Sequence, residues 1–125
     1  MSTHIDNNVE YKILHLDELN GKNYVEIALD KQRKHQFSES SIFLEKDCFK
    51  LVGEIIWVKY REYRPNKIIK IQSSEWLRIV DEINKEVSKL EVDAGNSKVV
   101  TFLNNLSVWI KESVANEDYL TICDK

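Results

Sequence analysis

The sequence predicts an α+β fold, a small, mainly antiparallel sheet with about three helices packed on it. Two long segments repeat apolar residues at helical spacing, and four short runs are rich in strand-forming residues. The chain of 125 residues is 42% apolar and 31% charged, which is typical of a globular domain. We therefore predict a single domain over residues 1–125, with the element order ββαβααβ and a loose, polar stretch at 1–8.

The first two predicted strands are 9–16 and 24–29, both rich in β-branched and aromatic residues. Asn20 and Gly21 lie between them, and both residue types tolerate positive φ. This pattern predicts a β-hairpin that turns at the Asn-Gly dipeptide. The polar residues 30–40 are expected to form a loop.

A helix is predicted from residue 42 to about residue 60. Ser40 and Ser41 can cap its start, because a serine hydroxyl accepts a hydrogen bond from the first helical turn. Apolar side chains then fall on one helical face. They are Leu44, Cys48, Leu51, Val52, Ile55 and Ile56.

The second half of this segment has an alternative. Gly53 and the β-branched cluster around it favour a strand over about 52–60, and the choice between helix and strand stays open. In the helical alternative Trp57 points to the polar side, away from Leu44 and Ile55.

The remaining elements are a strand at 67–72, helices at 74–91 and 97–114, and a strand at 119–123. Pro65 separates the first of these from the preceding helix, since proline cannot continue a helix. The two helices have strong 3.6-residue periodicity. Five of their side chains are predicted to be buried: Trp76, Ile79, Ile83, Leu103 and Leu106.

Charge is distributed unevenly along a chain with a net charge of −3. Residues 31–70 hold ten basic and five acidic side chains, whereas 71–125 hold six basic and ten acidic ones. The chain therefore has no general excess of positive charge to attract nucleic acid or an anionic membrane. Local surfaces must carry any electrostatic selectivity.

On the helix 74–91, Glu75, Glu82 and Glu86 form a narrow stripe that flanks the buried face. A solvated, salt-bridged helix surface explains this pattern, and so does an acidic face that binds a basic partner. We expect Glu82 and Glu86 to be solvated in the free protein. Such an interface usually includes a large aromatic anchor. The candidate anchors are Trp57, Phe102 and Trp109.

The basic middle suggests an alternative function. Basic residues alternate with Tyr60 and Tyr63, a composition that can bind single-stranded nucleic acid through phosphate contacts and base stacking. A solvated loop and a lysine-protected edge strand give the same pattern. The basic residues are Lys59, Arg61, Arg64, Lys67 and Lys70.

The cysteines, Cys48 and Cys123, are expected to be reduced thiols in a cytoplasmic protein. Neither lies near a histidine in sequence, so we expect no metal and no cofactor. The chain matches no P-loop, dinucleotide-binding or nucleophile-elbow motif. A ribonuclease that uses His15 and His35 as acid and base is a remote alternative.

The longest unbroken apolar run has four residues, Ile55 to Val58, which predicts no membrane span. Together these features favour a non-enzymatic protein-binding module in the cytoplasm. Its most specific form is a bacterial immunity or antitoxin-type protein that neutralises a toxic partner, such as a basic nuclease domain, by direct binding. The alternative is a nucleic-acid-binding protein that uses residues 59–70.

Overall fold

A computed structural model of the chain describes residues 8–21, 23–29, 41–65 and 67–124. It confirms the α+β class, with a four-stranded antiparallel sheet and three helices in the predicted order ββαβααβ. The expected loose stretch at 1–8 falls almost entirely outside the described residues, as does the expected loop at 30–40.

The strands are β1 (Tyr24–Leu29), β2 (Ile42–Glu45), β3 (Ile68–Gln72) and β4 (Tyr119–Cys123). The helices are α1 (Lys46–Lys59), α2 (Ser73–Leu90) and α3 (Ser97–Val114). Within the sheet the strand order is β2-β1-β4-β3, so that β4 lies between β1 and β3.

The core lies between the sheet and the helices. The β1 residues Val25 and Ile27 face it, as do their neighbours Leu44 on β2 and Ile122 on β4. All five helix residues predicted to be buried are fully buried. The indole nitrogen of Trp76 donates a hydrogen bond to the Leu120 carbonyl at 3.2 Å. The largest core side chain thus also joins α2 to β4, with its polar atom satisfied.

The predicted hairpin of 9–16 with 24–29 is wrong. Residue Leu14 instead exchanges two backbone hydrogen bonds of 2.9 Å with Phe43 on β2. The chain then enters a short 3₁₀ turn, Leu16–Glu18. Gly21 does adopt a positive φ of 86°, so this position turns the chain as expected, but β1 pairs with β2 and β4. β1 is therefore an inner strand of the sheet, and its residues 25–28 are all buried, whereas an isolated two-stranded hairpin leaves side chains in contact with water.

The start of the predicted helix is also wrong, because residues 42–45 form β2 and α1 begins only at Lys46. Ile42, Phe43 and Leu44 are all fully buried. Successive side chains of a strand point to opposite faces, so the burial of all three means that both faces of β2 are covered, whereas a surface helix buries one stripe. Ser41 caps no helix; its hydroxyl donates to the buried Glu26 carboxylate at 2.5 Å. From residue 52 onward the helical alternative is correct, since α1 continues to Lys59.

Candidate functional site

A groove of about 900 Å³ runs along one side of α1. Phe49, Gly53 and Trp57 line it in a row, since residues at i, i+4 and i+8 share one face of a helix. The segment 61–65, which follows α1, forms the opposite wall, and Asp124 at the end of β4 closes one side. The groove is therefore built by parts of the chain that are distant in sequence.

Aromatic rings form the floor of the groove. The rings of Phe49 and Tyr63 lie with centroids 6.3 Å apart, and the absence of a side chain at Gly53 lets Tyr63 approach α1 closely. Burial, together with the nearby Asp124 carboxylate, raises the pKa of Tyr63 to about 12. The phenol therefore stays neutral well above physiological pH, and its ring adds no charge to the groove.

Trp57 forms the exposed rim of this floor. Its side chain is 43% exposed, and the guanidinium carbon of Arg61 lies 3.8 Å from the centroid of its ring. A cation–π contact at an exposed site contributes about 0.5–1 kcal/mol. The contact therefore biases both side chains towards the edge of the groove.

A second guanidinium is fixed at the same rim. Arg64 donates from Nη1 to the carbonyl oxygens of Arg61 and Tyr63, at 2.6 and 2.8 Å. Within the described residues no carboxylate forms an ion pair with Arg61 or Arg64. The nearby Lys46, in contrast, lies 3.4 Å from the buried carboxylate of Asp124. The groove therefore has two cationic groups without an acidic partner in this part of the chain.

The acidic stripe on α2 is less open than the sequence predicts. Glu82 and Glu86 are only 9% and 3% exposed, so the expectation that both are solvated is wrong. Lys59 lies 3.9 Å from Glu82, Lys89 lies 3.4 Å from Glu86, and Arg78 lies 3.2 Å from Glu75. Their role in partner binding stays a prediction.

The physical reason for this burial is the position of α2 among the helices. It packs against both α1 and α3, so positions that flank its sheet-facing stripe are covered from the sides. Periodicity alone identifies the stripe that faces the core, but it does not show which flanks a neighbouring helix will cover.

The three candidate aromatic anchors have different environments. Trp57 is exposed, Trp109 is half-buried and Phe102 is buried. The rings of Phe102 and Tyr11 lie 6.0 Å apart where the segment 8–13 crosses α3. Phe102 thus packs as a core residue, and Trp57 is the anchor that a partner can reach most easily.

The basic segment does not form one continuous basic and aromatic face. Lys59 points to Glu82, and Lys70 lies with its ammonium nitrogen 4.6 Å from the centroid of the Tyr119 ring. Tyr63 is buried and Tyr60 is half-buried, so neither ring offers an open platform for stacking. Lys67 is exposed at the start of the edge strand β3. This dispersal disfavours the nucleic-acid alternative.

Chemically reactive groups are sparse in the described part of the chain. No three His, Cys, Asp or Glu side chains there are grouped so that they could hold a metal ion. Cys48 and Cys123 form no disulfide bond, and burial raises the pKa of the Cys48 thiol to about 12. His15 is exposed, while His4 and His35 lie outside the described residues. The His15–His35 pairing therefore stays a prediction.

None of the helices in the described ranges combines the length and the apolar character that crossing a membrane requires. Comparison of the chain with protein-family models, with curated proteins and with solved structures finds no match. Functional inference for this chain must therefore come from its own geometry.

Sequence reasoning identified Trp57 and Arg61 but missed the groove between them and the sheet. The available signal was a glycine in the middle of a helix, flanked at i−4 and i+4 by Phe49 and Trp57. Because a glycine inside a helix costs about 1 kcal/mol relative to alanine, its presence often marks a close approach by another group. Here the approaching group is Tyr63, and the sequence does not specify it.

Proposed function

We propose that this protein is a non-enzymatic protein-binding module of the cytoplasm and that the groove beside Trp57 is its contact site. In its most specific form it is an immunity or antitoxin-type protein that neutralises a toxic partner by direct binding. The observation that carries the proposal is the exposed Trp57 ring, held against Arg61 at the rim of an aromatic groove.

This composition is characteristic of binding hot spots. Trp, Tyr and Arg are the residue types most enriched among side chains whose truncation weakens protein–protein complexes by about 2 kcal/mol or more. The groove is lined by one of each, Trp57, Tyr63 and Arg61, and the first and last of these are in contact. A pocket of this kind suits a large apolar side chain from a partner.

The site is also organised before any partner arrives. Trp57 is on a regular helix, Arg61 is stacked on it, and Arg64 is tied to two backbone carbonyl groups. Immobilising a flexible side chain on binding costs about 0.5–1.5 kcal/mol, and side chains that are already restrained avoid most of that cost. Preorganisation therefore favours tight binding by a small surface.

The immunity-type form of the proposal comes from the character of the chain. The protein is small, its net charge is −3, and its acidic residues are concentrated outside the segment that forms the groove. Glu75 is the most exposed member of the acidic stripe and would be a secondary contact for a basic partner.

The test is affinity capture from the native cells with three versions of the tagged protein. The parent and the control Leu77→Ala should retain the same partner, whereas Trp57→Ala should lose it. Leu77 is an exposed apolar residue on α2 and controls for general surface hydrophobicity. A partner retained by Trp57→Ala would exclude the groove as the contact site.

The immunity-type form needs a second measurement. The captured partner should arrest growth when it is expressed alone, and co-expression of the parent protein should restore growth. Co-expressed Trp57→Ala should not restore it. A partner that is harmless when expressed alone would remove the immunity-type form, and the broader binding function would remain.

A further inference from the structure

We infer that the groove binds an acidic segment of its partner, in which a carboxylate side chain lies beside a large apolar one. The inference rests on the proposed function and specifies the chemistry of the partner at that site. It reverses the polarity expected from the acidic stripe, because it places acidic groups on the partner and basic groups on this protein.

The first argument is charge complementarity. Among the charged residues that line the groove, Lys46 and Asp124 form an ion pair with each other. The remaining ones are three basic residues, Lys50, Arg61 and Arg64, and one acidic residue, Glu54. Lys50 also lies 3.5 Å from Asp47, but both of those side chains are strongly exposed and interact weakly in water. The groove of this acidic protein thus has a local excess of positive charge.

The second argument is the geometry of the two guanidinium groups. Arg64 uses Nη1 for both of its carbonyl contacts, so its other N–H donors make no hydrogen bond to a described residue. The guanidinium carbon of Arg61 lies 3.8 Å from the centroid of the Trp57 ring, and the N–H donors of Arg61 make no hydrogen bond to a described residue. A guanidinium presents its donors as a fork that matches the two oxygens of a carboxylate.

The third argument is the apolar floor. Phe49 and the neutral Tyr63 ring lie next to these cations, and Gly53 adds no side chain between them. Phe49 and Tyr63 are themselves buried, so the apolar surface that a ligand can cover is mainly the exposed Trp57 ring beside them. A ligand with only charge would leave that ring in contact with water, and a ligand with only apolar groups would leave the two arginines without a counterion. A segment that combines both chemistries satisfies the whole groove.

The experiment is selection of a random peptide library, displayed on phage, against the parent protein at about 0.15 M salt. The enriched peptides should combine Asp or Glu with a neighbouring Leu, Met, Phe or Trp. A synthetic copy of the most enriched peptide is then titrated into ¹⁵N-labelled parent protein. Its binding should shift the Trp57 indole signal, which the Trp57→Phe variant assigns.

Charge variants test the role of the arginines. We expect the Arg61→Glu variant to bind the peptide at least about tenfold more weakly than the parent, since charge-assisted hydrogen bonds are lost. The same holds for the double variant that combines Arg61→Glu with Arg64→Glu. The control Lys111→Glu, an exposed change on α3, should bind as the parent does. Arg61→Gln, which removes charge without reversing it, serves as the milder variant if circular dichroism shows that a reversal disturbs folding.

Four outcomes would overturn the inference. Peptides that shift Trp57 but lack acidic residues, or that bind the arginine variants normally, would refute the partner chemistry and leave the proposed function standing. The absence of any peptide that shifts Trp57 would refute both. Binding of a short oligo-uridine at the same salt, lost in Arg61→Glu, would replace the acidic segment with nucleic acid.

Discussion

The phenol of Tyr63 packs against α1 at Gly53, where a Cβ atom added to residue 53 would stand 3.1 Å from the Tyr63 hydroxyl oxygen. The nearest ring carbon atoms would lie at 3.5 Å, which is an ordinary contact distance. The hydroxyl alone therefore makes this approach tighter than an ordinary contact, and it would have to move by a few tenths of an ångström to admit an alanine at residue 53. This contact sets the distance between α1 and the segment 61–65, which forms the opposite wall of the groove.

A double-mutant cycle should reveal this contact. In the Tyr63→Phe background, Gly53→Ala should raise the free energy of unfolding by about 0.8–1 kcal/mol, the difference in helix propensity. In the parent the same change should stabilise less, because the hydroxyl must move. Urea unfolding of the four proteins gives the coupling energy. Equal effects in both backgrounds would show that the hydroxyl does not limit the approach.

The core prediction compares two aliphatic residues on α2. Ile83→Ala should lower the free energy of unfolding by about 2–5 kcal/mol, since Ile83 is fully buried and its truncation leaves a cavity. Leu77→Ala, at a position 48% exposed on the same helix, should lower it by less than about 1 kcal/mol. Thermal melts of both variants give the comparison. Equal melting temperatures for the two variants would show that Ile83 does not lie on the buried face of α2.

Charge reversal on α2 should affect folding as well as binding. Glu82→Lys or Glu86→Lys should lower the free energy of unfolding by roughly 1–3 kcal/mol, because each puts a positive charge in an enclosed position next to a lysine. Asp81→Lys, at the exposed position immediately before Glu82 in the helix, is the matched control. Urea unfolding is the measurement. If the control lowers the free energy of unfolding by as much, the effect comes from the change in net charge and not from burial.

Cys48 should make stability fall at high pH. Burial raises the pKa of its thiol from 9.0 to about 12, so the folded chain keeps a proton that the unfolded chain loses above about pH 9. The unfolded state then binds fewer protons than the folded state, and the free energy of unfolding decreases as pH rises from about 9 towards 12. Cys48→Ala should make this decrease shallower in urea unfolding between about pH 8 and pH 10. An unchanged slope would mean that the thiol ionises normally in the folded protein.

The sequence predicted best those elements whose structure depends on local periodicity. For α2 and α3 the predicted bounds differ from the structure by at most one residue at each end, because a long amphipathic repeat dominates every alternative. The sequence predicted β2 worst. A short run that is buried on both faces shows no alternation of apolar and polar residues, so it cannot be distinguished from part of a helix. The partner of β1 depended on strands distant in sequence, which no local turn signal specifies.

The candidate site was predictable only in part. Trp57 was identifiable because it points away from the apolar face of its own helix. The burial of Glu82 was not, because it depends on the position of α1 relative to α2. The groove itself was also beyond prediction, since its walls come from segments that only the folded chain brings together.

The place of β4 in the sheet has a consequence for folding of the chain during its synthesis on the ribosome. The edge strand β3 pairs only with β4 among the described strands, and β4 follows it in the chain after α2 and α3. While the chain is being synthesised, β3 has no strand to join until residues 119–123 leave the exit tunnel. We expect α2 and α3 to associate first, since their contacts are local, and the sheet to close last. A nascent chain arrested before Tyr119 should therefore be digested readily by protease, and one extended past Asp124 by a linker should resist it.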